Sequence, residues 1–113
     1  MAMNILFVDS KNSRRGPTAE AIYKGNQDVM IIKSAGTDTG AKTVITAKPL
    51  LWADVIFLME RDHKQKIAEK FPLEIMEKEV IFLDIEDKYE FMDPVLVEKL
   101  KAKVDPCLVD LNT

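Results

Sequence analysis

Cysteine and histidine are nearly absent from the 113 residues: Cys107 and His63 are the only ones. A single thiol forms no internal disulfide, and without clusters of Cys and His no zinc site can be assembled, so neither a disulfide framework nor a metal is expected. Glycine is sparse too, at four residues. None of them builds the Gly-x-x-x-x-Gly-Lys-Ser/Thr nucleotide loop or the dinucleotide fingerprint. Apolar runs such as PLLWA and VIF fall far short of a bilayer span. The opening MAMNILFVD enters a strand pattern with no basic segment ahead of a cleavable apolar core, so a cytoplasmic protein without a membrane partner is expected. Sixteen Lys and Arg against nineteen Asp and Glu leave a net charge of -3, which argues against a specific nucleic-acid partner.

What is present is a 47% hydrophobic chain of a length that closes around one core, predicted as one domain over residues 1–113. Four apolar runs read as strands: residues 4–8, 29–35, 54–59 and 79–85. Each is apolar nearly throughout instead of alternating, which is the pattern of strands buried on both faces of a parallel sheet. Helices are predicted between them: one opening near Pro17, one over Val44 to Ala53 in which Pro49 makes a bend or marks the start of the last turn, and one over Glu60 to Phe71 that Pro72 ends. A last helix begins at Asp93 and Pro94, with Asp93 as N-cap and Leu96, Val97, Leu100 and Val104 at helical spacing. The fold class is therefore α/β, three layers, with helices on both faces of a four-stranded parallel sheet.

In such a fold ligands bind beyond the carboxyl ends of the strands. The segment after the first strand, DSKNSRRGP (Asp9 to Pro17), leads straight into a helix N-terminus, whose free amides and positive dipole end favour an anion. Arg15 adds a planar, permanently charged donor fork suited to phosphate oxygens, and Arg14 adds field or faces solvent. Asn12 tolerates a left-handed turn conformation. From the residues alone this is a site for a phosphate-like oxyanion.

The combination ILFVDSKNSRRGPTAEAIY, SAGT, WADVIFLME and DIEDKYEFMDP resembles the low-molecular-weight protein tyrosine phosphatases, in particular a short bacterial branch. The resemblance spans about Asn4 to Leu108. It implies a strand order of 2-1-3-4, no cofactor, and phosphotyrosine-containing ligands. It also implies that Ser10, Lys11, Asn12, Ser13, Arg14, Arg15 and Gly16 form the phosphate-binding loop, with Arg15 gripping the oxyanion. The family loop starts with a nucleophilic cysteine, and that position here is Asp9. Gly16 replaces the hydroxyl residue that assists the thiolate. A thiolate is the nucleophile of that chemistry, so two changes at its centre imply a hydrolase that is inactive or strongly impaired, or a pseudoenzyme that binds phosphate or a phosphopeptide. The family also uses an aspartic acid after the fourth strand to protonate the leaving oxygen. Asp87 is the first candidate, Asp93 the alternative, and Tyr89 is then expected to flank the substrate ring.

Other residues read as structural. His63 is expected to face solvent from a charged helix, and Trp52 and Met59 to pack in or near the core. Ser10 and Ser13 have no base beside them in sequence. Cys107 lacks an arginine at the downstream spacing and does not replace the nucleophile.

Overall fold

A computed structural model describes residues 2–26 and 29–111, so the domain limits expected at Met1 and Thr113 lie outside the described residues. The elements are β1 (Met3–Asp9), α1 (Arg15–Tyr23), β2 (Met30–Gly36), α2 (Ala47–Trp52), β3 (Val55–Leu58), α3 (Asp62–Lys70), α4 (Pro72–Ile75), β4 (Glu79–Phe82) and α5 (Pro94–Leu111). All strand pairs are parallel and the sheet order is β2-β1-β3-β4.

The uniformly apolar strands follow from burial on two sides. Ile5 and Phe7 of β1, with Val55 and Phe57 of β3, join a core with Ala19 and Tyr23 of α1 and Leu96, Leu100 and Val104 of α5. Leu6 and Val8, with Ile56 and Leu58, point the other way into a core with Leu50, Ala53, Ile67 and Ile75 from the side of α2, α3 and α4. Successive strand side chains alternate faces, so a central strand covered by both helical layers has no position left for a polar residue. Met59 is fully buried, and Trp52 packs at the margin of the second core.

Three expected boundaries shift. The helix predicted over Val44 to Ala53 is only α2: Val44 forms a bridge with Gly36, and Thr46 is extended at φ -133° and ψ 173°. Pro49 then falls in the first turn of the short α2, where its missing donor costs little, and the helix ends at Trp52, three residues later. β4 ends at Phe82 because Asp84 adopts φ 52°, although the amides of Leu83 and Ile85 still reach the carbonyls of Leu58 and Met59 at 2.9 and 2.8 Å. The charged helix opens at Asp62, and Pro72 both follows its end and starts α4.

Candidate active site

β1, an interior strand, delivers Asp9 to the carboxyl end of the sheet, and the chain then turns through Asn12, left-handed at φ 54°. Asparagine adopts that conformation more readily than most residues, and here its side chain is also braced: Nδ2 donates to Ser34 Oγ at 2.9 Å, and Ser34 donates to Glu20 at 2.6 Å. The segment after β2 wraps the loop with main-chain bonds. The amides of Thr37, Asp38 and Lys42 donate to the carbonyls of Asp9, Ser10 and Lys11 at 3.0, 2.9 and 2.9 Å. Gly36 permits this approach, since a Cβ there would lie 2.6 Å from both Ser10 O and Ala41 Cβ.

Within the loop, Asp9 is 2% exposed and its carboxylate is the acceptor around which the backbone closes. Oδ1 takes the Asn12 amide at 2.7 Å and Oδ2 the Gly16 amide, in the first turn of α1, at 2.9 Å. Burial pushes the Asp9 carboxyl above its ordinary range and Asp87 adds to this, while the amides of Gly16 and Asn12 and the charge of Arg15 pull it back. Gly16 is close-packed on this group: a Cβ there would stand 3.4 Å from the Asp9 Cγ and both its oxygens.

Arg15 is 1% exposed. Its Nη1 donates to the Ile85 carbonyl at 2.7 Å and lies 3.3 Å from Glu60 Oε2, while Nε is 3.7 Å from Asp87 Oδ1. At that distance Nε makes an ion pair and no hydrogen bond. Arg15 Nε and Thr37 Oγ1 are the two buried side-chain polar atoms without a hydrogen-bond partner among the described residues. Both belong to residues that hold this loop, and a buried polar atom without a protein partner calls for one from water or a ligand.

His63 corrects the expectation of a solvent-facing residue, being fully buried. Nδ1 accepts the Glu60 amide at 3.2 Å, so the neutral ring carries its proton on Nε2, which lies 3.0 Å from Ser10 Oγ and donates to it. Ser10 therefore does have an imidazole beside it, but one that gives a proton and does not take one. Burial lowers the His63 pKa, with the charges of Arg15 and Lys66 acting in the same direction and Asp62 and Glu60 opposing them, which keeps the ring neutral near pH 7. Glu60, Asp62 and His63 cluster closely enough to suggest a metal site. With both ring nitrogens engaged and Glu60 paired to Arg15, the cluster has no free imidazole lone pair to offer a metal.

No family model matches the chain, and no curated protein matches it either. Solved structures do. The low-molecular-weight protein tyrosine phosphatase from T. tengcongensis covers 96% of this chain, over 99% of its own, at 20% identity and a TM-score of 0.74. A protein tyrosine phosphatase from Entamoeba histolytica aligns over 98% of this chain and 96% of its own at 18% identity and a TM-score of 0.74. The fold is that of the low-molecular-weight protein tyrosine phosphatases. The YwlE arginine phosphatase from Geobacillus stearothermophilus shares it as well, over 96% of each chain, at 22% identity and a TM-score of 0.63.

In this phosphatase fold the candidate residues gather where ligands of open α/β sheets bind, at the carboxyl ends of the strands. Asp9 ends β1, Thr37 follows β2, Glu60 follows β3 and Asp87 follows β4. Arg14 reaches outward to Glu90 at 3.8 Å, and Lys11 and Ser13 are exposed. Asp93 is apart from Arg15 in its bonding: its Oδ1 caps α5 through the Val95 amide at 2.8 Å. Tyr89, expected beside a substrate ring, is 7% exposed and packs in the first core, with the ammonium groups of Lys88 and Lys99 5.6 and 5.8 Å from its ring centroid. Glu60 and Thr37 went unnoticed in the sequence. A carboxylate directly after a buried strand, as in FLME, is the signal that would have flagged Glu60.

Proposed function

We propose that the chain is a single phosphatase-like domain for phosphate monoesters of the phosphotyrosine type, set in the cytoplasm, whose cysteine-dependent turnover is lost because a carboxylate occupies the nucleophile position. The observation that supports this most directly is the pair of amide bonds from Asn12 and Gly16 to Asp9. The amides and dipole end that would stabilise a thiolate, and then a phosphoryl group, are spent on the protein's own charge. Asp9 is also a poor nucleophile in this setting, since both of its oxygens already accept hydrogen bonds and its negative charge repels an incoming dianion.

The buried fork of Arg15 and the unmatched Thr37 hydroxyl favour a second reading, a non-catalytic domain that binds phosphate or a phosphopeptide. Turnover of an aryl phosphate separates the readings. The unchanged protein should show little or none, Asp9→Cys should gain it, and Asp9→Cys with Gly16→Ser should gain more. In the double variant the serine hydroxyl donates to the sulfur and improves it as a leaving group, so phosphoenzyme breakdown speeds up more than substrate affinity. Adding Arg15→Ala should abolish turnover. A folded double variant whose thiol is never phosphorylated overturns the phosphatase reading, and efficient metal-free turnover by the unchanged protein overturns the loss.

A further inference from the structure

The carboxylate of Asp9 fills the loop as an anion would, and the inference developed from this rests on the oxyanion reading above. Two positively polarised amides converge on its oxygens at 2.7 and 2.9 Å. A tetrahedral oxyanion that enters the same loop needs those amides, and in taking them it sets a second negative charge against Asp9. The groups packed around Arg15 and Ser10 worsen that contact or are already committed. Asp87, from the segment after β4, faces Arg15 Nε at 3.7 Å and raises the Asp9 pKa. Glu60, from the turn after β3, lies 3.3 Å from Arg15 Nη1. His63 of α3 is neutral and bonded to Ser10. Arg15 is thus the one buried Lys or Arg among the described residues and faces three carboxylates, while Lys11 and Arg14 of the loop are exposed and Arg14 lies 3.8 Å from Glu90, so no buried positive charge is left over for a dianion beside an ionised Asp9. Asp9 is 2% exposed, so water does little to screen the repulsion.

We infer that this loop captures an oxyanion only together with a proton on Asp9, so that the ligand displaces the carboxylate from its amides as a neutral carboxylic acid and binding is coupled to proton uptake. The balance is simple: one proton from solvent joins one Asp9 oxygen, the amides of Asn12 and Gly16 pass to the ligand, and no covalent bond to the ligand forms. The carboxylic acid then becomes a donor, able to bond the very oxyanion that its charged form excludes. Linkage makes the coupling reciprocal, since a bound anion must raise the Asp9 pKa as much as protonation favours the anion.

Sulfate is the probe, because its own charge is constant near neutrality and any pH dependence belongs to the protein. Titration calorimetry of the unchanged chain should show affinity falling about tenfold per pH unit above the folded pKa of Asp9, with about one proton taken up per sulfate in buffers of different ionisation enthalpy. Asp9→Ala should bind more tightly with a flat profile across the same range, and Asp87→Asn should keep the slope but shift its onset to lower pH. A flat profile in the unchanged protein, or binding without proton uptake, overturns the coupling and leaves the oxyanion reading standing. Binding by Asp9→Ala while the unchanged chain binds at no pH at which it is folded also overturns the coupling. Should neither protein bind sulfate, the oxyanion reading falls and the coupling with it. Proton uptake is read on the unchanged chain, so the inference is tested even where Asp9→Ala does not fold.

Discussion

Asp87 and Asp93 are six positions apart and do different things. Asp87 stands beside the guanidinium of Arg15, whereas Asp93 bonds the first turn of α5. In the turnover-competent Asp9→Cys, Gly16→Ser protein, Asp87→Asn should slow an ester with a poor leaving group by ~10²- to 10⁴-fold and leave a good leaving group nearly untouched, since only the former needs a proton in the transition state. Asp93→Ala should instead cost about 1 kcal/mol of stability, read from denaturant midpoints, as loss of an N-cap does. A loss from Asp93→Asn that depends on the leaving group would transfer the acid role to Asp93. The sequence made Asp9, Asn12, Arg15 and Asp87 legible because each belongs to a short motif beside a strand end. It hid Ser10 and His63, whose contact spans 53 positions and whose partner segment, ERDH, carries the charge of a solvated surface. Tyr89 was misjudged for a related reason: its neighbours Lys88 and Glu90 are polar, and only the fold brings the apolar side of α5 against its ring.

Elements rather than single side chains shape the loop. Residues 9–12 are held from outside by the segment following β2, and that clasp depends on Gly36 having no side chain. Gly36→Ala should destabilise the chain by about 1 to 3 kcal/mol, the usual cost of overpacking, because the obstacles at 2.6 Å include the Ser10 carbonyl, which cannot swing aside. Chemical denaturation measures this, and a neutral result would show that the clasp is not tight. The strands were legible in sequence because both cores read the same apolar runs. The segment 43–46 was not, since Thr-Val-Ile-Thr suits a helix end and an extended bridge equally until Gly36 supplies the bridge partner. The helix expected over Glu60 to Phe71 is α3, which ends before Pro72 as the sequence indicates, whereas α4 was not legible: the proline that stops one helix is also a good first residue of the next.

For the molecule as a whole, two buried titrating groups set the pH response with opposite signs. His63 has its pKa lowered from an ordinary 6.5, so the unfolded chain binds that proton more readily, and stability is lost as pH falls below 6.5 toward the folded value. Asp9 has its pKa raised from 3.8, so the fold binds its proton more readily, and the cost of holding the carboxylate charged is full above the folded value and relieved below it. On acidification below pH 6.5 the denaturant midpoint of His63→Gln should therefore fall less than that of the unchanged chain, and equal changes in both proteins would remove His63 as a contributor. A last consequence lies in how Arg15 is held. Its cage draws on Ile85 and Asp87, which follow β4, an edge strand of four residues joined to a single neighbour. Edge strands open locally well below the free energy of global unfolding. When β4 frays, the guanidinium loses its carbonyl and one counter-charge together, so amide exchange along Glu79–Phe82 reports the fraction of molecules in which Arg15 is released from this cage while the rest of the sheet, and the clasp on residues 9–11, stay intact.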